Sequence, residues 1–258
     1  MIVPLELTGL SKVFPTPSGP LVAVKDVNAK IAEREFVCVL GHSGCGKSTV
    51  LSIIAGLQQA TEGGVVIDGR QVTTPGADRA VVFQTPCLLP WLTARDNVSL
   101  AIRQSGKIRR ADTRPQAERF LELVGVEDTA HHLPGELSLG TQQCVSLARA
   151  LASHPKLLLL DEPFSMLDSL TRFDLQDTLL RVWERDRKIV FMVTHDVDEA
   201  LYLADRLILM TDGPEATVGE ILTLPFARPR NRAAVLEHPE YYTCRERVLT
   251  FLEKHARH

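Results

Sequence analysis

At 258 residues, 45% of them hydrophobic, the chain is long enough for one large α/β domain, or a domain with a subdomain, and can bury a core without staples. Its 29 Lys and Arg against 32 Asp and Glu leave a net charge of −3 with no long basic block, which argues against a surface built for nucleic-acid phosphate. The five cysteines (Cys38, Cys45, Cys87, Cys144, Cys244) form no C-x-x-C pair and fit a reducing compartment, and no signal-peptide pattern or bilayer-length apolar run occurs, so a membrane role would pass through a partner.

Short alternating or apolar runs predict strands at residues 5–10, 22–31, 36–40, 65–67 and 80–83, divided by turn chemistry at Pro15 to Pro20, Glu62 to Gly64 and Thr74 to Gly76. After the third strand, residues 41–48 read Gly-His-Ser-Gly-Cys-Gly-Lys-Ser, a full G-x-x-x-x-G-K-[ST] phosphate loop that opens a predicted helix at 48–57. A loop bent at Gly41, Gly44 and Gly46 can aim backbone N–H groups at phosphate oxygens, and the helix adds its positive end. The expected nucleotide-binding set runs through Gly41, His42, Ser43, Gly44, Cys45, Gly46, Lys47, Ser48 and Thr49. Lys47 would reach the β and γ phosphates, and Ser48 would hold Mg²⁺.

Gln84 ends the strand at 80–83 and can contact Mg²⁺ and an attacking water, losing that contact if the following loop moves. Leu88 to Leu92, with Trp91, is either a docking surface for a partner helix or small-subdomain core. Helical spacing then runs from about 90 to 151, with Phe120, Leu121 and Val124 on one face and Arg109, Arg110, Glu118, Arg119 and Glu122 on the other.

Alternation returns with a strand at 157–160, a helix at 170–187, a strand at 189–193, a helix at 197–204, and strands at 206–210 and 218–222. The strand at 157–160 ends in Asp161 and Glu162. Alone, two acids there could be a solvated turn; beside a phosphate loop, Asp161 can hold Mg²⁺ and Glu162 can deprotonate the water that attacks the γ phosphorus. His195, at the end of the next strand, is either structural or a donor bridging the γ phosphate and the water. Asp168 follows the acidic strand closely enough to lie beside the site. In the tail, Tyr241, Cys244, Val248 and Phe251 share one helix face, which predicts packing on the body with Arg228, Arg230 and Arg232 solvated; a basic patch facing lipid headgroups is the alternative.

The order of phosphate loop, Gln84, Leu137-Ser-Leu-Gly140-Thr-Gln-Gln, Leu160-Asp-Glu-Pro163, Ser165-Met-Leu-Asp168 and His195 resembles the ATP-binding subunits of ABC transporters over nearly the whole chain. The resemblance implies a P-loop NTPase cassette: an α/β RecA-like core at 1–89 and 152–224, with an N-terminal antiparallel β part, an inserted helical subdomain at 90–151 and a tail helix within 225–258. It implies Phe14 stacking on adenine, Ser138, Leu139 and Gly140 closing on the ATP of an opposite subunit, and catalysis by Glu162, His195 and Gln84. It further implies Mg²⁺ at Ser48, Gln84 and Asp161, a second copy or a paralogous cassette, membrane-spanning permease subunits, a solute-binding protein reached through them, no nucleic acid, and a place on the cytoplasmic side of the plasma membrane.

The segments at 75–84, 88–98, 194–200 and 212–214, with Arg228-Pro-Arg-Asn-Arg and His238-Pro-Glu-Tyr-Tyr242, look like the nitrate, cyanate and bicarbonate importer branch, and sulfonate and taurine importers share the first part. Nitrate or nitrite is the expected solute. Three positions depart from the family pattern: Leu139 and Arg34 replace glycines, and Cys144 replaces an arginine. The first and last leave open a weakly hydrolysing, regulatory cassette.

Overall fold

The computed structural model describes residues 4–106 and 112–256. Arg109 and Arg110, expected on a polar helix face, lie outside the described residues. In chain order the elements are β1 (Leu5–Thr16), β2 (Gly19–Ile31), β3 (Phe36–Leu40), α1 (Lys47–Ala55), β4 (Glu62–Ile67), β5 (Arg70–Gln71) and β6 (Arg79–Val82). Next come α2 (Ala94–Ser105), α3 (Thr113–Leu123), α4 (Leu139–Ala152), β7 (Leu157–Asp161), α5 (Ser169–Arg185), β8 (Ile189–Val193), α6 (Val197–Leu203), β9 (Arg206–Met210), β10 (Val218–Thr223), α7 (Arg232–Leu236) and α8 (Tyr241–His255). Two compact units result: one holds the chain up to Gly76 and from Ile189 onward, the other Ala77–Lys188.

In the first unit, β1 pairs antiparallel with β2 on one side and β4 on the other, giving the order β2-β1-β4-β5. Alternation drives it: Leu5 and Leu7 of β1 flank half-buried Glu6, and Val27, Ala29 and Ile31 of β2 are buried while Asn28 and Lys30 between them are exposed. The expected break at Pro15 to Pro20 is instead the end of a hairpin, with Pro15 opposite Pro20 and Thr16 opposite Gly19. Proline is tolerated at such an end because it has no ladder N–H to supply. The parallel part runs β10-β9-β3-β8, with β8 and β9 both parallel to β3 and β10 antiparallel at the edge. Every residue of β3 and β8 is buried, as a strand covered on both faces requires.

The second unit holds the parallel pair β6 and β7 and the helices α2 to α5. The long helical pattern expected for 90–151 is three helices. Gly106 in a left-handed conformation ends α2, Gly125 follows α3, and Pro134 starts a short 3₁₀ turn before α4. Thr93, Ser138 and Asp168 cap α2, α4 and α5 through side-chain oxygens that accept backbone N–H bonds. Buried Asn97 on α2 exchanges hydrogen bonds with Leu89 and donates to the carbonyls of Leu92 and Thr93, pinning the segment that carries Trp91.

The tail corrects one expectation. Tyr241, Cys244, Val248 and Phe251 are buried as predicted, but the arginines before them are packed: Arg230 is buried, and Arg228 and Arg232 are half-buried. Arg230 has no exposed side-chain surface, and its guanidinium donates to the carbonyls of Phe226 and Ala204. Arg228 Nε donates to Asp205 Oδ1 at 2.8 Å, and Arg232 lies over the Tyr202 ring with its carbon 3.9 Å from the centroid. The Leu203 and Ala204 carbonyls at the end of α6 accept from the guanidinium groups of Arg228 and Arg230, as helix-end carbonyls need partners beyond the helix.

Candidate functional site

The candidate residues fall into two sets, one in each unit. In the first, the phosphate loop joins the end of β3 to the start of α1. Gly41 is constrained by space, Gly44 by its left-handed backbone at φ 81°, and Gly46 by both. A Cβ on Gly41 would stand 2.7 Å from Cys45 Sγ and 3.1 Å from the Met210 carbonyl oxygen, and one on Gly46, at φ 89°, would stand 2.4 Å from Val24 Cγ1. No side-chain hydrogen bond caps α1 and no acid occupies its first turn, so the positive end of the helix favours an anion. That is the fit expected for a phosphate.

Buried Lys47 lies across the loop, its Nζ donating at 2.8 Å to each of the Gly41 and His42 carbonyls. Ser43, Gly44 and Ser48 are exposed, while Thr49 is half-buried in the first turn of α1. Cys45 is buried, and desolvation raises its thiol pKa against the lowering effect of Lys47, so it packs as a neutral group. The His42 ring is turned onto α8, with Nε2 at 2.8 Å from the Leu252 carbonyl.

His195 belongs to the same edge. Val193 of β8 stands opposite Val39 of β3, and the Thr194 N–H donates to the Val39 carbonyl at 3.1 Å. The exposed His195 therefore follows its strand where the phosphate loop follows β3, at the carboxyl ends where α/β sites gather. Asp196, next in the chain, caps α6 by accepting from the Glu199 N–H at 3.0 Å. Phe14 is half-buried near the end of the β1–β2 hairpin, opposite Leu21. Two residues before it, Lys12 faces Val24, the residue packed against Gly46; this puts Phe14 roughly 7 Å further along the strand from the loop.

The second set gathers at the carboxyl ends of β6 and β7, where Val82 is opposite Leu160. Gln84 Nε2 donates to Ser165 Oγ at 3.0 Å and lies 3.5 Å from Glu162 Oε2. Glu162 itself has φ 46°, a left-handed conformation that a non-glycine residue adopts at a cost of order 1–3 kcal/mol. Half-buried Asp161 ends β7 immediately before it. Ser165 is a residue the sequence reading missed as a partner of Gln84; its place three residues after Glu162 was the available signal. Asp168 caps α5, Oδ1 accepting from the Leu170 and Thr171 N–H groups at 3.1 Å each, and hydrogen bonds led by Thr171 lower its carboxyl pKa.

Ser138 caps α4, Oγ accepting from the Thr141 N–H at 3.1 Å, and Leu139 takes the first helical position with 46% of its surface exposed. A Cβ on Gly140 would stand 2.3 Å from Thr171 Cγ2, so glycine is demanded there while position 139 makes no such demand. Cys144 lines a cavity of about 310 Å³ with Thr171, Asp174, Thr178 and Arg181, and burial pushes its thiol pKa up to about 11. Further along α4, Gln143 Nε2 donates to the Phe83 carbonyl at 3.0 Å, and Arg149 donates to the carbonyls of Pro86 and Cys87. These two grips on the Gln84 segment were not legible in the sequence.

Arg34 has φ 61°, so its departure from glycine falls on a position where glycine would be the unstrained choice. Ser48, Asp161 and Gln84 offer hard oxygen ligands of the kind Mg²⁺ takes. Among the described residues there is no cluster of three or more His, Cys, Asp or Glu that could hold a metal ion.

Comparison with known proteins agrees with these motifs. A family model described as ABC transporter matches residues 24–165. The chain is 50% identical, over 98% of its own length and 93% of the relative's, to a nitrate import ATP-binding protein of Synechococcus elongatus. It is 48% identical, over 98% and 90%, to a bicarbonate transport ATP-binding protein of a Synechocystis species. Among solved structures, a dimeric ATP-binding cassette in a post-hydrolysis state with ADP and phosphate superposes with a TM-score of 0.77 at 35% identity, covering 86% of this chain and all of that one.

Proposed function

The chain belongs to the ABC transporter ATP-binding family, an ATPase, and we propose that it energises import of a small inorganic anion, nitrate or nitrite, through separate membrane-spanning subunits. Likeness along the full chain to a nitrate import ATP-binding protein carries the choice of solute. The bicarbonate relative, only slightly less similar, carries the second reading. Among the described residues no helix is long and apolar enough to cross a membrane. In this reading the cassette sits on the cytoplasmic face of its permease, as the import ATP-binding relatives suggest.

In the proposed reaction the phosphate loop and the N-terminus of α1 cradle the phosphates, Lys47 shifts its donors from loop carbonyls to phosphate oxygens, and Phe14 stacks on the adenine. Mg²⁺, held by Ser48, Asp161 and Gln84, would neutralise charge on the phosphates. Glu162 takes the proton of the attacking water, His195 donates to the γ phosphate, and Gln84 reports the state of the site to the loop after it. Two cassettes close on two ATP molecules, with Ser138, Leu139 and Gly140 of each facing the nucleotide of the other.

The solute assignment is tested on the complete transporter in proteoliposomes. Its ATPase activity should rise when nitrate with the cognate solute-binding protein is supplied, and not with bicarbonate, taurine or chloride. Stimulation by bicarbonate alone would transfer the assignment to the second reading.

Docking on the permease is assigned to the segment after Gln84. Trp91 is 72% exposed, and Leu88, Leu89 and Leu92 beside it are half-buried, so the tryptophan is not core. Trp91→Ala should leave the free subunit folded and ATP-binding, with a stability change within about 0.5 kcal/mol. Co-purification with the permease should fall. A variant that unfolds the free subunit, or that assembles at parental yield, removes the segment from this role.

A further inference from the structure

Helix α8 is attached to both of the elements that bear on the phosphates in the first unit. At one attachment, His42 in the phosphate loop meets the Leu252 carbonyl at 2.8 Å; a carbonyl only accepts, so Nε2 carries the hydrogen and donates. At the other, Tyr241 Oη donates to Asp198 Oδ1 at 2.8 Å, and Arg245 Nε donates to the same oxygen at 2.7 Å. Asp198 lies in the first turn of α6, three residues after His195.

Between these attachments the buried stripe of Tyr241, Cys244, Val248 and Phe251 seats the helix, and Gly219 makes room for the Phe251 ring, since a Cβ there would stand 2.5 Å from Cζ. The apolar stripe accounts for the docking of α8 by itself. The polar attachments have another use. Arg245 and Asp198 keep 39% and 52% of their side-chain surface exposed, and so open a pair contributes little stability. It does restrict where α6 begins, because one carboxylate is fixed by two donors on successive turns of α8.

We propose that α8 is a positioning strap for ATP hydrolysis, holding the phosphate loop through His42 and the His195-bearing segment through Asp198, so that the spacing between them is set by one rigid helix. The proposal rests on the roles assigned above to the phosphate loop and His195. His42, Tyr241, Asp198 and Arg245 are positioning residues in this scheme, and His42 contributes its backbone, not its ring, to phosphate binding.

The test uses steady-state ATPase kinetics of the assembled transporter. His42→Leu, which removes the donor, should raise KM for ATP about threefold or more with a smaller change in kcat, while His42→Gln, which keeps an N–H donor, should recover most of the loss. Tyr241→Phe combined with Arg245→Ala should instead lower kcat about threefold or more with KM within about twofold, and Arg245→Lys alone should stay near parental. Parental kcat and KM in both arms, or equal losses that follow only the fraction of folded protein, would overturn the strap. The surface pair keeps the test decisive if His42→Leu misfolds. His195→Ala serves as the control: if it retains parental turnover, the role assigned to His195 has failed, and the second attachment loses its purpose with it.

Discussion

Glu162→Gln is expected to cut turnover by roughly 10²-fold or more while leaving ATP binding intact, because a positioned general base contributes about 10²–10⁴. Glutamine keeps the length and shape of the side chain and meets the same left-handed backbone at φ 46°, so the turn after β7 carries no new strain. Its amide oxygen can still accept from Gln84 Nε2, now 3.5 Å from Oε2 of Glu162. What it loses is the ability to take a proton. Binding without turnover should then accumulate a closed pair of cassettes, seen as a shift to twice the mass on size-exclusion chromatography with Mg-ATP. Hydrolysis near the parental rate would take Glu162 out of the role.

Ser138→Arg is expected to abolish turnover by a different route. The serine caps α4 through a 3.1 Å bond to the Thr141 N–H, and losing such a cap costs about 1 kcal/mol; the arginine also brings a long cation to a helix end that should receive the opposite subunit's phosphate. ATP binding to the single subunit should persist. Leu139 is the contrast. It sits in ordinary helix with nothing that requires a missing Cβ, so Leu139→Gly should change turnover by no more than about tenfold, equivalent to ~1.4 kcal/mol. An inactive parental complex that Leu139→Gly revives would favour a regulatory, non-hydrolysing cassette.

The strands around the phosphate loop were legible because burial on both faces forces unbroken apolar runs, as in Phe36–Leu40 and Ile189–Val193. Helix starts were legible for a local reason too: Ser138 sits where α4 begins and caps it within three residues. Contacts across long stretches of chain were not. Nothing local to Arg230 announces that its guanidinium will meet the carbonyls of Ala204 and Phe226, and a charged residue among prolines reads as solvated. The same holds for Gln143 and Arg149, whose partners at Phe83, Pro86 and Cys87 are some sixty positions away. Pro15 misled in the other direction, since its turn propensity is real but is met at the tip of a hairpin and not between separate strands.

The grip of α4 on the segment around Gln84 bears on how one chain can attend to two nucleotides. Gln143 and Arg149 hold that segment on either side of its glutamine, and Ser138 and Leu139 lead the same helix. A helix transmits displacement along its axis with little loss, because every turn is tied to the next by its own hydrogen bonds. A movement of the Gln84 segment would therefore be felt as a shift of Ser138, which in the proposed dimer faces the other ATP. In the proposed dimer, the stiffness of α4 between Ser138 and Gln143 would then set how strongly the two sites are coupled.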